Sequence, residues 1–381
     1  MKKNFLRLVV VCLITLGCSS DDGNGVQVGG PSGGTDDDGG GVSGDPFLYI
    51  PSDNLQDLAN FPVGNIVSAS RLASSSEAEF RTILNTDYNS ITAENDMKMN
   101  NMFTGPDTFD FSDGDAIVAY AKANGMRVHG HALVWHPEFA IPDWLENFAG
   151  TDAEFEAQIE NYVKSTVEHF AEEKDADGNS IVTGWDVVNE YFDDNGDIRN
   201  TLFTQRMGSD YIEKIFQWAR EADPDVKLFY NDYNIAGQTN KRSAILSMVN
   251  NFQNDGIPIN GIGMQMHLGL AWPALEEISL AITDVSDAGL LVHISELDIQ
   301  VNSNEDITSL TIERAQEQEL FYNHVSSEYN SIVPSNQQYG ITIWGIRDQD
   351  SWRYDGGTDW LLLYDSNFDF KIAHRGFADG L

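Results

Sequence analysis

Short apolar runs alternate with longer segments of helical periodicity from about residue 65 to the end of the chain. Val, Ile and Trp crowd together in the short runs without strict alternation, which is typical of strands buried on both faces of a parallel sheet. The pattern predicts eight strands, at 65–70, 88–92, 126–132, 182–189, 227–231, 261–267, 290–297 and 339–344. Helices are predicted near 76–85, 113–124, 152–172, 209–222, 240–253, 273–287 and 307–329, with a last one after Lys371.

This alternation predicts an α/β fold, because eight strand–helix units over roughly 320 residues are what a single (β/α)8 TIM barrel requires. A doubly wound open sheet is the alternative. Such a sheet usually carries a Gly-rich phosphate loop after its first strand, and this sequence has none there. In a barrel, functional side chains gather at the C-terminal ends of the strands. The third helix is expected to begin with a capping box formed by Thr151 and Glu154.

The first 45 residues differ in composition from the rest. Residues 1–18 combine a basic start with an apolar stretch that ends at Gly-Cys, the features of a secretory signal peptide. Cys18 directly follows the apolar stretch, as in bacterial lipoprotein signals, where that cysteine is lipidated. Residues 19–45 are mainly Gly, Asp and Ser and predict a flexible tether. The folded domain is then 46–381.

These segments predict an exported protein, held at the cell envelope or cell surface as a lipoprotein. A plain signal peptide cut nearby, which would give a secreted protein, is the alternative. Cys12 and Cys18 are the only cysteines. Since neither would remain in the fold after processing, we expect no disulfide framework.

The chain carries a formal net charge of −38 at pH 7. Such a field repels the phosphates of nucleic acids and of anionic lipids, so we expect no nucleic-acid partner. Membrane contact is expected only through the N-terminal lipid anchor. The charge is compatible with a neutral polysaccharide as the partner.

Two glutamates stand where predicted strands end. Glu190 directly follows the strand 182–189, and Glu296 lies near the end of the strand 290–297. An acidic residue at the end of a buried strand is costly unless solvent reaches it. Two such carboxylates are what the cleavage of a glycosidic bond requires: one protonates the leaving oxygen, and the other attacks or assists at the sugar carbon. The alternative is that both are buried acids held in salt bridges. The neighbouring motifs described next favour a catalytic site over this alternative.

Polar and aromatic residues follow the other predicted strands in the same way. In chain order, the motifs are Glu94-Asn95 with Lys98, His131 with Trp135, Asn189-Glu190, Tyr233, Gln265 with His267, Glu296 with Asp298, and Trp344 followed by Trp352. Together they resemble glycoside hydrolase family 10, the endo-β-1,4-xylanases. The resemblance covers the chain from about residue 50 to its end, and seven motifs recur in the family's order.

The resemblance implies an endo-acting, retaining hydrolase that cleaves internal β-1,4-xylosidic bonds by double displacement. It implies that Glu190 is the acid/base and Glu296 the nucleophile. Asn189 matches the residue that binds the 2-hydroxyl of the sugar under attack. His267 matches the histidine that bonds the nucleophile, with Asp298 behind it. Mutual repulsion of the two carboxyls is expected to keep Glu190 protonated while Glu296 is ionised.

The resemblance also implies the substrate-binding set. Glu94, Asn95 and Lys98 are expected to grip the next sugar on the non-reducing side. The walls and floor of the cleavage subsite are expected from His131, Trp135, Gln265, Trp344 and Trp352, and Tyr233 is expected to bind substrate as well. The partners are then xylan or xylo-oligosaccharides, the protein is expected to be a monomer, and no metal or organic cofactor is needed.

Two departures from the family pattern stand near the expected cleft. The segment 137–144 is longer than usual by about two residues and lacks the family's glutamine. We expect this difference to affect the width of the cleft or the preferred product length. Tyr191 stands where a small residue is usual, and its ring is expected to crowd the acid/base.

Two other functions remain open on the same scaffold. One is a β-1,4-glucanase or mixed-linkage glycanase that uses the same glutamates. The other is a non-catalytic surface glycan-binding protein. A narrow cleavage subsite should exclude glucan, because glucose carries a hydroxymethyl group at C5 that xylose lacks, and the loop at Trp352 is the expected wall.

Overall fold

The computed structural model describes residues 41–42, 44–354 and 356–381. The predicted signal peptide, Cys18 and most of the predicted tether therefore lie outside the described residues. The short strand Gly41–Val42 pairs antiparallel with Tyr49–Ile50, so regular structure begins inside the segment predicted as tether. Within the described part of the chain, no helix is both long and apolar enough to span a bilayer.

Eight parallel strands form a closed barrel. They are β1 (Val63–Val67), β2 (Ser90–Ala93), β3 (Arg127–Gly130), β4 (Val182–Asn189), β5 (Lys227–Asp232), β6 (Gly261–Met264), β7 (Leu291–Gln300) and β8 (Gln338–Ile343). Each strand pairs in parallel with the next, and β8 pairs with β1 to close the ring. Closure confirms the predicted (β/α)8 barrel, since the open-sheet alternative would leave two edge strands unpaired.

The main helices follow the strands as predicted. They are α1 (Ala78–Asp87), α2 (Ser112–Ala123), α3 (Asp152–Ala171), α4 (Tyr211–Ala222), α5 (Thr239–Asp255), α6 (Leu275–Asp287), α7 (Ile312–Ile332) and α8 (Ile372–Asp379). The capping box at the start of α3 is confirmed. The Glu154 N–H donates to the Thr151 hydroxyl, and the Glu154 carboxylate accepts from the Thr151 N–H at 2.7 Å. These bonds satisfy two N–H groups that would otherwise lack partners at the helix start.

Shorter elements fill the connections. They are the helices Leu55–Leu58, Ala69–Ala73, Met99–Met102, Asp143–Glu146 and Leu202–Met207, the 3-10 turns Ser75–Glu77, Glu138–Ala140 and Asp348–Asp350, and the strands Phe103–Gly105, Thr108–Phe109, Val134–Trp135 and His267–Gly269.

The predicted sixth strand is interrupted. The apolar pattern predicts a strand from 261 to 267, but β6 ends at Met264 and pairing resumes at His267–Gly269 beside the end of β7. Met266 has a φ of 58°, in the left-handed region, which ends the extended conformation. The interruption places His267 directly opposite Asp298 in the resumed pairing.

Trp185 on β4 packs against the ring of Phe170 on α3, with ring centres 5.8 Å apart, and is 1% exposed. The backbone of Gly130, at the end of β3, lies against its indole. A Cβ at Gly130 would stand 2.2 Å from the Trp185 ring, far inside van der Waals contact. Strand β3 therefore needs a glycine there, next to the functional rim of the barrel.

We predict that Gly130→Ala lowers the free energy of unfolding by about 1–3 kcal/mol, the usual cost of overpacking a core. Chemical denaturation monitored by tryptophan fluorescence measures the change. Gly44→Ala is the matched control, because a Cβ there has nothing within 4 Å. Equal stability of the two variants would contradict the packing described for Trp185.

Candidate active site

A cavity of about 560 Å³ lies at the C-terminal ends of the barrel strands. Except for Asp298, which lies behind it, every residue predicted for catalysis, catalytic support or substrate binding lines this cavity. They are Glu94, Asn95, Lys98, His131, Trp135, Asn189, Glu190, Tyr233, Gln265, His267, Glu296, Trp344 and Trp352. The lining also includes Phe139, Asn234 and Arg353, which the sequence motifs do not assign.

Glu296 is 5% exposed and has a hydrogen-bond partner for each oxygen. Its Oε1 accepts from Asn231 Nδ2 at 2.8 Å, and its Oε2 lies 3.2 Å from His267 Nε2. Burial raises the pKa of Glu296, but the hydrogen bond from His267 and the proximity of His131 outweigh burial and leave the pKa below its usual value. Glu296 is therefore held as a carboxylate with both oxygens fixed.

His267 bridges Glu296 to a second buried carboxylate. Its Nδ1 lies 3.0 Å from Asp298 Oδ2. Burial alone would lower the pKa of His267, but the carboxylates of Asp298 and Glu296 outweigh burial and raise the pKa to about 10. The imidazole is then doubly protonated at neutral pH and donates from both ring nitrogens.

Asp298 is completely buried and is bonded by the loop that follows β8. Its Oδ1 accepts from Arg353 Nη1 at 2.8 Å, and its Oδ2 accepts from Trp352 Nε1 at 3.2 Å. Burial raises the pKa of Asp298, but His267 and Arg353 outweigh burial and lower it. Charges therefore alternate in sign from Glu296 through His267 and Asp298 to Arg353.

Glu190 follows β4 directly and takes a φ of 59°, an uncommon conformation for a non-glycine residue. Its backbone N–H donates to the carbonyl of Asn231 at 2.9 Å. Its Oε1 accepts from Gln265 Nε2 at 3.1 Å. The side chain is half-buried, so one face of this carboxyl is open to the cavity.

The Asn189 amide, at the end of β4, is fixed by neighbouring residues of the barrel rim. It fits with its oxygen accepting from Trp135 Nε1 at 3.2 Å and its nitrogen donating to the backbone carbonyl of Asn231 at 3.1 Å. Asn231 is itself fixed, because its Oδ1 accepts from Ser295 Oγ at 2.6 Å. Asn231 ends the fifth predicted strand, but nothing in the sequence pattern indicates its role.

His131 is oriented by Asp186, a residue that the sequence motifs do not single out. His131 Nδ1 lies 2.8 Å from Asp186 Oδ2, and His129 Nε2 lies 3.0 Å from the other oxygen. Burial raises the pKa of Asp186, but the two histidines outweigh burial and hold the pKa well below its usual range. The ring of Trp344 packs edge-on against His131, with centres 5.6 Å apart.

Glu94, Asn95 and Lys98 form a polar cluster in the lining of the cavity. Lys98 Nζ donates to Asn95 Oδ1 at 3.0 Å and lies 4.9 Å from the centre of the Trp135 ring. Burial lowers the pKa of Lys98, against the opposing effect of the carboxylates of Glu296, Glu94 and Glu190. Burial likewise raises the pKa of Glu94, with Lys98 opposing. The cluster offers a carboxyl, an amide and an ammonium group to sugar hydroxyls.

Tyr233 lines the same cavity and is held there by two cations. Arg199 Nη2 donates to its hydroxyl at 2.5 Å, and Lys241 Nζ lies 3.5 Å from its ring centre. Lys241 is fully buried and paired with Asp232 at 2.6 Å.

The expectation that Tyr191 crowds Glu190 is wrong. Its ring packs edge-on against Phe192 and Tyr211, and its hydroxyl donates to the carbonyl of Ser209 at 2.6 Å. Tyr191 does not line the cavity. The ring therefore belongs to the packing beneath the loop that follows β4.

In the parts of the chain that the structure describes, no group of three or more His, Cys, Asp or Glu side chains is arranged to hold a metal ion. The cavity instead combines two carboxyls with different partners, amides at its rim, and indole and imidazole rings.

Residues 54–380 match the model of glycosyl hydrolase family 10. The chain belongs to this family. Among curated relatives, the endo-β-1,4-xylanase Xyn10C of Cellvibrio japonicus is 39% identical over 355 residues, which cover 86% of this chain and 58% of that protein. The β-1,4-xylanase of Dictyoglomus thermophilum is 35% identical over 307 residues, which cover 77% and 82%. This chain spans 58% and 56% of the first two curated relatives.

Solved structures of the family agree with the fold. Native xylanase 10C from Cellvibrio japonicus aligns with a TM-score of 0.80 at 38% identity, covering 86% of this chain and 72% of that one. A mutant of the same enzyme in complex with xylopentaose aligns with a TM-score of 0.79 at 38% identity, covering 86% and 69%.

We predict that Asp298→Asn lowers the pKa of His267 from about 10 toward its ordinary value of 6.5, because one of the two carboxylates that raise it is lost. Imidazole ¹⁵N NMR across pH 5–11 measures the change. Since the folded-state pKa is raised, the stability contributed by His267 is complete below about pH 6.5 and is lost as the pH rises through about 10.

His136 is the internal control in the same spectra. Burial and the charges of Arg199 and Lys241 lower its pKa to about 4, and Asp298→Asn should leave it unchanged. A wild-type His267 that is already neutral at pH 7.5 would refute the charge arrangement described above.

Proposed function

We propose that this chain is an endo-acting, retaining hydrolase that cleaves internal β-1,4-xylosidic bonds of xylan. The observation that carries the proposal is the contrast between the two glutamates in one cavity. Glu296 is buried as a carboxylate fixed by Asn231 and His267, whereas Glu190 is half-buried. Family membership, the xylanase relatives and the xylopentaose complex of a relative support the substrate.

In the first step, Glu190 gives its proton to the glycosidic oxygen while an oxygen of Glu296 attacks the anomeric carbon. The bond to the leaving sugar breaks, and a glycosyl ester with Glu296 forms. Because Glu296 is kept as a carboxylate, it does not have to lose a proton before it attacks. Its two hydrogen bonds fix the direction of the attacking oxygen and limit the reorganisation that the step requires.

In the second step, water attacks the anomeric carbon and Glu190, now a carboxylate, takes the water proton. The ester bond breaks, Glu296 regains its charge, and Glu190 regains its proton. Two inversions leave the anomeric configuration retained. Gln265 holds the Glu190 carboxyl through both steps, since it donates to one oxygen and leaves the other free.

The lining of the cavity suits a neutral pyranose chain. Hydroxyls at the sugar edge meet the amides and charged groups of Asn189, Asn95 and Lys98, and C–H faces meet the indoles of Trp135 and Trp344. Trp352 is 63% exposed at the mouth, and its ring centre lies 5.2 Å from that of His267. Its position favours xylose over glucose at the cleavage subsite.

Export through residues 1–18, lipidation of Cys18 and the monomeric state stay predictions. Together with the proposed activity, they describe an enzyme that degrades xylan outside the cytoplasm.

We predict that Glu296→Ala retains xylan binding and loses turnover by several orders of magnitude, because the attacking oxygen is removed. Reducing-sugar release and affinity electrophoresis on xylan measure the two properties. Glu276→Ala, an exposed glutamate in the first turn of α6, is the matched control and should keep full activity.

Azide distinguishes the roles of the two carboxyls. With an aryl xylobioside, azide should restore product formation in Glu296→Ala as the α-glycosyl azide, since it replaces the nucleophile. In Glu190→Ala it should give the β-glycosyl azide, since it attacks the glycosyl ester. Near wild-type xylan hydrolysis by Glu296→Ala would overturn the nucleophile assignment, and wild-type binding without hydrolysis would favour the glycan-binding alternative.

We predict that Trp352→Ala raises the ratio of aryl cellobioside to aryl xylobioside hydrolysis by about tenfold, because space for a C5 hydroxymethyl group opens. Steady-state kcat/KM on the two substrates measures the ratio. Trp352→Phe is the control for the hydrogen bond to Asp298, since it removes the N–H and keeps an aromatic wall. An unchanged ratio in Trp352→Ala would remove Trp352 as the selectivity wall.

A further inference from the structure

The start of the loop after β4 is held by the neighbouring strand β5. The backbone N–H of Glu190 donates to the carbonyl of Asn231 at 2.9 Å. The N–H groups of the next two residues, Tyr191 and Phe192, donate to the hydroxyl of Tyr230 at 3.1 and 3.3 Å. Three consecutive N–H groups, beginning at the proposed acid/base, are therefore fixed by two adjacent residues of β5.

Strand β5 contacts both proposed catalytic residues because its side chains alternate between two faces. Asn231 donates to Glu296 Oε1 on one face. Tyr230 and Asp232, on either side of Asn231 in the sequence, point to the other face, where Asp232 pairs with Lys241 of α5 at 2.6 Å. The support of Glu296 and the support of the loop at Glu190 thus come from consecutive positions of one strand.

The Tyr230 hydroxyl is part of a buried charged cluster. It donates to Asp232 Oδ2, and Asp232 Oδ1 accepts from Lys241 Nζ and from the Tyr233 N–H at 2.9 Å. Tyr230, Asp232 and Lys241 are each 0% exposed. Burial and the neighbouring carboxylate raise the pKa of Tyr230 well above its usual value, so the phenol keeps its proton. Because that proton is bonded to Asp232, the hydroxyl oxygen can only accept from the loop.

The position of the Glu190 backbone determines where its carboxyl lies. Glu190 has a φ of 59°, a conformation that a non-glycine residue keeps only where the surrounding structure fixes it. The bonds to Asn231 and Tyr230 hold the peptide groups on both sides of Glu190. A general acid must lie within hydrogen-bond reach of the atom that it protonates, so loosening either peptide group displaces the proton donor.

We propose that Tyr230 is a positioning residue for the acid/base. Its hydroxyl, held by Asp232 and Lys241, fixes the backbone from which Glu190 presents its carboxyl to the glycosidic oxygen. No proton passes through Tyr230, since it acts only through the position of Glu190. The inference rests on the proposed function, in which Glu190 protonates the leaving group.

Two aryl β-xylobiosides test this role, because their leaving groups differ in the need for a proton. Dinitrophenolate leaves without one, whereas phenol requires general acid catalysis in the first step, which governs kcat/KM. We expect Tyr230→Phe, which removes only the hydroxyl, to reduce kcat/KM on the phenyl substrate about tenfold, a part of the roughly 10²–10⁴-fold that general acid catalysis contributes. On the dinitrophenyl substrate, kcat/KM should stay within about twofold.

Tyr329→Phe is the matched control. The Tyr329 hydroxyl is also buried, accepts from the Gly340 N–H at 2.9 Å and donates to the carbonyl of Val292 at 2.8 Å, but it does not contact the loop at Glu190. Its removal should leave the ratio of the two substrates unchanged. Because the same folded molecules hydrolyse both substrates, the ratio does not depend on the fraction of a variant that folds.

Glu190→Ala provides the reference for a lost acid and should lose the phenyl substrate selectively. Adding Tyr230→Phe to Glu190→Ala should cause no further loss, since Tyr230 acts through Glu190. An unchanged ratio in Tyr230→Phe, an equal shift in Tyr329→Phe, or a further loss in the double variant overturns the positioning role and leaves the proposed function intact. A wild type inactive on both substrates, or equal losses on both in Glu190→Ala, overturns the proposed function and this inference with it.

Discussion

The buried ion pair between His267 and Asp298 is the constraint on which the site depends. Asp298 has no exposed surface, and a buried carboxylate without a partner costs about 3–5 kcal/mol. Its partners come from three places: the resumed pairing at His267, the indole of Trp352 and the guanidinium of Arg353. The same imidazole then faces Glu296, so the need to neutralise Asp298 also determines the charge and direction of the proposed nucleophile.

The left-handed residues at the rim contribute to the same arrangement. Glu190 and Met266 both have positive φ, and both stand where a barrel strand ends. A regular strand would alternate its side chains between the barrel interior and the helices. The break at Met266 lets the strand resume opposite Asp298, and the turn at Glu190 follows the last paired residue of β4. At both positions, a left-handed backbone helps to set the direction of the side chains that face the cavity.

Sequence patterns predicted the barrel and most of its site, because both follow from local order along the chain. Buried parallel strands produce continuous apolar runs, and a barrel gathers whatever follows those runs, so the position of Glu190 at the cavity could be predicted from the pattern. Gln265 and Trp344 were expected there from the family resemblance, and both line the cavity. Asn231 and Asp186 could not be assigned a role, since their importance lies in contacts with neighbouring strands. The interruption at Met266 was missed because a methionine gives no sign of a left-handed backbone. The prediction for Tyr191 was wrong because its ring direction is decided by Phe192 and Tyr211.

Trp352 contributes both to the shape of the cleft and to the hydrogen bonding of a buried carboxylate. Its ring stands at the mouth beside His267, and its N–H belongs to the hydrogen bonds of Asp298. A substitution that changes the shape of the cleft there also removes a donor from a buried charge. Under the proposed function, the substrate range and the charge of the proposed nucleophile are therefore coupled at this residue. Phe139 lines the same cavity, but its hydrocarbon ring makes no hydrogen bond to Glu296, His267 or Asp298, so a change there alters the shape of the cleft without removing a donor from a buried charge.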